Sequence, residues 1–218
     1  MQTISVIGGS GELGGGLAMR WAKAGLPVII GSRDAARAAE VAARLNDAAG
    51  NALAKGMNNL DAAKAGDIVV LAIKFSHHAA TLTELKAALA GKILVDTTVP
   101  LVPPKVARVQ LPKEGSAAVI AQQLLGEEVQ VVSAFQNVSA SSLVSKTAPE
   151  CDVLVTGASP DARETVIGLA EAAGFRAWHA GPLENSAAAE ALTSLLIFMN
   201  KKYASDHTGI RITGIKKD

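Results

Sequence analysis

The stretch Ile7-Gly8-Gly9-Ser10-Gly11-Glu12-Leu13-Gly14 constrains the fold more than any other part of the 218 residues. A β-branched run, Thr3–Gly8, enters a glycine cluster that fits G-x-G-x-x-G at Gly9, Gly11 and Gly14, and a helical stretch, Leu17–Ala24, follows. A strand that turns so abruptly into a helix leaves the helix N-terminus beside the strand's carboxyl end. That N-terminus carries amides without internal partners and a partial positive charge, a combination that receives phosphate. Gly9 is expected to permit the tight turn, Gly11 to let a pyrophosphate approach the backbone, and Gly14 to let helix and strand pack closely. The same spacing alone describes any tight strand-to-helix turn. The flanking strand and helix make it a dinucleotide-binding fingerprint.

The remaining sequence extends this unit. Apolar runs at Pro27–Gly31, Asp67–Ile73, Lys92–Asp96 and Val129–Ala134 read as strands, and Ala52–Met57 as a weaker one. Helical spacing over Asp34–Leu45, Leu60–Ala65, His78–Leu89 and Ser116–Leu125 separates them. Such alternation predicts right-handed βαβ units and an α/β, Rossmann-type doubly wound, mostly parallel sheet. Four prolines between 100 and 112 make Val99–Glu114 a loop. Cys151–Thr156 and Phe175–His179 are expected strands around a helix, Pro160–Ala173. Asn185–Tyr203 is a long apolar helix with Asn185 or Ser186 as its cap. Gly209–Gly214 alternates like an edge strand. A boundary near Asn137–Lys146 divides a dinucleotide-binding domain (1–140) from a small helical and mixed C-terminal extension (141–218) for acceptor binding or dimerisation.

Composition narrows the function. The 21 basic and 20 acidic side chains nearly cancel, against a nucleic-acid-binding domain, and 3% aromatics leave little for base stacking. One cysteine excludes a disulfide framework or a multi-cysteine metal site. No apolar run approaches the roughly 18 residues of a membrane span. The chain enters strand sequence by Ile4, so a cytoplasmic protein without a signal peptide is expected.

The end of the second strand selects the nucleotide. An NAD site places an acidic residue there, about 20 residues past the glycines, on the ribose hydroxyls. This chain has Gly31-Ser32-Arg33, with Arg37 one helical turn on. A hydroxyl and two guanidinium groups suit the 2′-phosphate of NADP(H). Asp34 is either a ribose ligand or a helix cap. The carboxyl ends of the other strands ring one crevice: Lys74 to His78, Thr97 to Pro100, and Phe135 to Ala140. His77 and His78 are candidate acid/base groups or simply residues at a helix start. The apolar helix 185–203 is core, or core plus a homodimer contact.

Longer stretches carry a resemblance: Gly8–Leu17 (GGSGELGGGL), Gly31–Arg33 (GSR), Asp96–Leu101 (DTTVPL), Gly115–Ala118 (GSAA), Ser133–Ala140 (SAFQNVSA), Asp152–Gly157 (DVLVTG), Ala180–Asn185 (AGPLEN) and Gly209–Gly214 (GIRITG). Together they resemble the F420-dependent NADP reductase family, small Rossmann oxidoreductases that move hydride between NADP(H) and the deazaflavin coenzyme F420. The resemblance implies that Ser10, Gly11, Glu12 and Leu13 hold the pyrophosphate and that Ser32, Arg33 and Arg37 hold the 2′-phosphate. It implies that Phe75, Val99, Pro100, Val138 and Ala140 line the nicotinamide and deazaflavin pocket, with Ile73 and Lys74 at the same strand end. No catalytic side chain is required; Lys74, His77 and His78 are candidate assistants. Lys74 and Ser194 stand where the family usually has proline. The alternatives are an NADPH-dependent reductase of another acceptor, such as a flavin, and a non-catalytic NADP(H) sensor.

Overall fold

In the computed structural model, which describes residues 2–145 and 149–215, the glycine cluster joins β1 (Ile4–Ile7) to α1 (Glu12–Lys23). The chain continues through β2 (Val28–Ser32), α2 (Ala35–Ala49), β3 (Ala54–Asn58), α3 (Asn59–Ala65), β4 (Ile68–Leu71), α4 (Phe75–Leu89), β5 (Ile93–Asp96), α5 (Ala117–Leu125) and β6 (Gln130–Ser133). It ends with α6 (Ala140–Val144), β7 (Asp152–Gly157), α7 (Pro160–Ala172), β8 (Arg176–His179) and α8 (Ser186–Tyr203). The sheet order is β3-β2-β1-β4-β5-β6-β7-β8. From β3 to β6 every pairing is parallel, with Ile4 opposite both Val28 and Ile68. β7 runs antiparallel to β6, and β8 parallel to β7. This is the expected doubly wound, mostly parallel sheet. Its winding reverses between β1 and β4, and ligands collect at such a switch point.

Period-two alternation assigns the strand side chains to two cores. Ile4, Val6, Ile30, Val70 and Val132 face a layer built from α1, α2 and α7, including Leu17, Trp21, Leu45 and Val166. Ile7, Ile29, Leu71, Leu94 and Val131 face Ala62 of α3, Leu82 and Leu85 of α4, and Ala121 of α5. Trp21 donates its indole N–H to the Leu169 carbonyl at 2.8 Å, and its ring meets Phe135 edge-on at 6.1 Å.

Several boundaries differ from the sequence expectation. α1 starts at Glu12 rather than Leu17, because close packing rather than propensity decides the first turns. A Cβ at Gly16 would stand 2.7 Å from the Leu143 side chain. α4 starts at Phe75 rather than His78. α6 and a 3₁₀ turn at Leu183–Asn185 are additional. Asn185 takes the N-cap position of α8, but its side chain makes no capping bond. Asn185 donates its amide to the Ala180 carbonyl at 2.7 Å, and the Ser186 hydroxyl bonds the Ser116 hydroxyl at 2.7 Å. Gly209–Gly214 forms no strand. It is tied to β7 by Asp152, whose N–H donates to the Ile210 carbonyl and whose buried carboxylate accepts from Ile212 N–H, each at 2.8 Å. Lys146, the end of the expected boundary segment, lies outside the described residues.

Candidate functional site

An open cleft of about 590 Å³ lies against the carboxyl ends of β1, β2 and β4. Its floor is Gly8, Ser10 and Gly11. One wall carries Ser32, Arg33 and Arg37, and the other Ile73, Lys74 and His77. The glycines divide the work differently from expectation. Gly8, at φ +81, makes the left-handed turn assigned to Gly9, and a Cβ there would sit 2.4 Å from the Ala72 carbonyl oxygen. Gly9 instead allows close approach, since its Cβ would stand 2.9 Å from the Val6 carbonyl. Gly14 has the expected packing role, with a Cβ 2.8 Å from the Gly8 carbonyl and 3.1 Å from Ala72. Gly11 is open: within 4 Å its Cβ would meet only the Gly8 carbonyl, at 3.3 Å. The first helical bond, Gly15 N–H to Gly11 carbonyl at 2.8 Å, leaves the amides of Glu12, Leu13 and Gly14 ahead of the helical ladder. Open space over unpartnered amides fits a pyrophosphate.

Beyond β2, the structure resolves the two readings of Asp34. Its Oδ1 accepts from Ala36 N–H at 2.9 Å and Arg37 N–H at 3.3 Å, so it caps α2. Arg33 and Arg37 are exposed on the same wall, and Ser32 is buried beside them with its hydroxyl accepting from Asp34 N–H at 3.3 Å. Asn59, missed in the sequence, joins this wall with a buried Oδ1 that lacks a protein partner. Only the placement of β3 next to β2 brings it there. Thr81 and Glu84 were also missed. They continue the stripe from His77 along α4 at helical spacing.

The other candidates are not among the residues that line this cleft. Glu12 is the exposed first residue of α1, and Leu13 is half-buried against the core. Half-buried Phe75 opens α4. Val99, half-buried, and Pro100, buried, follow β5, and half-buried Ala140 opens α6. Val138 lines a smaller cleft of about 140 Å³ between residues 136–139 and α8, where Thr193 donates its hydroxyl to the Gln136 carbonyl at 2.7 Å. Buried Phe135, held at φ +71, turns the chain into this segment, a strained conformation of the kind concentrated at functional sites. A third depression, of about 550 Å³ beside Cys151 and Arg211, shares no lining residue with these two. Burial pushes the Cys151 thiol above its ordinary value.

His78 is the main correction. Read from the sequence as a candidate acid/base group or a partly exposed residue at a helix start, it is 1% exposed. As the fourth residue of α4 it points inward, and its Nε2 lies 2.6 Å from Oδ2 of Asp96, which is fully buried. His77, one position earlier, points into the cleft. Sequence reasoning also missed Glu190 of α8. Its buried carboxylate accepts from the first amides of α5, Ala117 N–H at 2.7 Å and Ala118 N–H at 3.1 Å. Desolvation pushes Glu190 up to about 8, against the lowering by those amides and with help from the negative charge of Asp96.

Comparison with known proteins follows the same line. The family described as NADP oxidoreductase, coenzyme F420-dependent, matches residues 3–100. An F420-dependent NADP reductase of Methanocaldococcus jannaschii is 42% identical, over 98% of this chain and 99% of its own. One from Methanothermobacter thermautotrophicus is 40% identical, over 97% and 95%. Among solved structures, a candidate F420-dependent NADP-reductase from Arthrobacter sp. FB24 superposes with a TM-score of 0.81 at 25% identity, covering 98% of this chain and 100% of that one.

Proposed function

This chain belongs to the coenzyme F420-dependent NADP oxidoreductase family, and we propose that it transfers hydride between NADP(H) and F420 or a similar deazaflavin. The observation that carries the proposal is one cleft joining an open phosphate loop at Gly11 to Arg33 and Arg37. In the reductive direction, hydride leaves C4 of NADPH with both electrons of its bond and adds to a ring carbon of the acceptor. NADP⁺ remains, and an acceptor ring nitrogen gains a proton from solvent. No protein nucleophile takes part. Residues of the chain anchor the dinucleotide, hold the two rings together and exclude water. Apolar Phe75, Val99, Pro100 and Val138 suit the last task.

Two substitutions divide anchoring from chemistry. Arg33→Ala is expected to weaken NADPH binding about 10–100-fold, the loss of one or two charge-assisted bonds, with NADH affected little. Titration with both nucleotides checks this, and equal losses would remove Arg33 from the 2′-phosphate. Lys74, the N-cap residue of α4, is exposed at the cleft wall, where its ammonium can meet an anionic acceptor or charge developing on the acceptor ring. Lys74→Met is expected to lower kcat about 10–100-fold with NADPH affinity unchanged if it serves the ring, or to raise the acceptor KM if it serves an anionic tail. Wild-type values of both parameters would leave Lys74 a surface residue.

The C-terminal region, 141–218, contributes the α8 wall of the smaller cleft under this reading. The outer face of α8 exposes Leu195, Phe198, Met199 and Tyr203, with Phe198 57% exposed. Apolar residues at this spacing favour a homodimer seated on α8. A monomeric mass in sedimentation at micromolar concentration would contradict it.

A further inference from the structure

α4 and its N-cap residue bring His77 and Lys74 to the cleft, yet the start of the helix is weakly held from outside. Lys74 makes no side-chain capping bond, and the first turn carries no acidic residue. The tie comes from within. His78 and Asp96 are 1% and 0% exposed, and their 2.6 Å contact joins the first turn of α4 to the last residue of β5. The second oxygen of Asp96 accepts from Thr98 N–H at 2.9 Å, which fixes the turn leading to Val99 and Pro100. Its backbone carbonyl accepts from the Gln136 side-chain amide at 2.8 Å, at the carboxyl end of β6. One residue thus bonds α4, the β5 loop and the β6 loop, the elements expected to surround the nicotinamide and the acceptor. The imidazole also reaches Phe75 in its own helix, with ring centroids 6.0 Å apart and planes tilted by 31°. A carboxyl group at full burial needs a hydrogen-bond partner, and the His78 Nε2 is the group that meets its Oδ2.

We propose that His78 and Asp96 form a buried positioning pair that fixes the first turn of α4 against the β5 and β6 loops, and so sets the spacing of the walls that hold the reacting rings, without touching either ring. The inference rests on the proposed hydride transfer, because an error of about 1 Å from a group remote from the chemistry lowers a rate by up to about 100-fold. It assigns His78 a role distinct from its neighbour His77, which lines the cleft.

The test compares His78→Leu/Asp96→Asn with His78→Gln. The double variant keeps an acceptor for Thr98 N–H and leaves no buried charge, so it is expected to fold, at a stability lowered by the one buried amide it leaves unpaired. His78→Gln keeps an N–H donor for Asp96. The double variant is expected to bind NADPH with an affinity within about threefold of wild type, since the phosphate anchors lie elsewhere. The fluorescence of its bound nicotinamide is expected to change, and kcat to fall about 10–100-fold at an acceptor KM within a fewfold of wild type. His78→Gln is expected to recover most of kcat and of the fluorescence signal. Wild-type kcat and fluorescence in the double variant would overturn the inference. So would equal losses in His78→Gln and the double variant, and so would loss of the fold, which marks a structural pair rather than a positioning one. Fluorescence of bound NADPH needs no acceptor. A wild-type protein that binds NADPH but leaves F420 unreduced therefore contradicts the proposed function, while the fluorescence comparison still decides this inference.

Discussion

Gly11→Val is expected to abolish binding of NADPH and NADH together while the protein remains folded. Gly11 sits at φ −85 and ψ 171, an extended conformation open to valine, and its added Cβ would meet only the Gly8 carbonyl at 3.3 Å. The loss in α1 capping is about 1 kcal/mol or less. The valine methyls instead fill the space over the amides of Glu12, Leu13 and Gly14, and exclude the pyrophosphate common to both nucleotides. Affinity is expected to fall by more than about 100-fold. Gly14→Val gives the contrasting result. Its Cβ would stand 2.8 Å from the Gly8 carbonyl and 3.1 Å from both Ala72 Cβ and Gly9 Cα, so strain of about 1–3 kcal/mol or more falls on the fold itself. Melting without nucleotide and NADPH titration, run on both variants, separate the two. Normal binding by Gly11→Val would move the site away from this loop.

The stability of the protein is expected to fall as pH rises from about 4.5 to about 8, and Glu190→Gln is expected to remove much of that slope. The ordinary value of a glutamate, 4.5, applies to the unfolded chain, and burial raises Glu190 to about 8 in the fold. Between those values the folded state binds more protons than the unfolded state, so each rise in pH favours unfolding. Above the folded value the penalty is constant. Its size is on the order of a few kcal/mol, because a tenfold difference in proton affinity between the two states corresponds to about 1.4 kcal/mol. Glutamine keeps an oxygen for one of the two α5 amides and does not ionise. Denaturant melts of both proteins at pH 5 and pH 8 measure the effect. Parallel pH dependence in the two would show that Glu190 does not titrate in this window.

The sequence foretold the fold where period and punctuation agreed. The runs at β1, β2, β4, β5 and β6 are buried on both faces, so they read as continuous apolar strings, and the intervening helices carry their own spacing. The start of α1 was illegible because Glu12–Gly16 is glycine-rich. Its helicity is imposed by packing against Gly8, Ala72 and Leu143. Gly209–Gly214 alternates, but one backbone bond and one carboxylate bond, both to Asp152, replace a ladder, and alternation does not reveal that. In the site, Arg33 and Arg37 were legible because their chemistry and their place after β2 coincide. Asn59 and Glu190 were not, because a tertiary neighbour and a buried helix end, respectively, give them significance. His78 was legible as a histidine beside the cleft, but its direction was set by the start of α4 at Phe75 and by Asp96 beneath it.

The most direct measurement is anaerobic incubation of the protein with NADPH and, separately, F420, FMN, FAD and riboflavin, following the absorbance of NADPH and of each acceptor. Catalytic oxidation of NADPH coupled one-to-one to loss of oxidised F420, much slower with each flavin, is the expected result. Stoichiometric binding of NADPH without turnover on any acceptor, or preferential reduction of a flavin, would contradict hydride transfer to a deazaflavin.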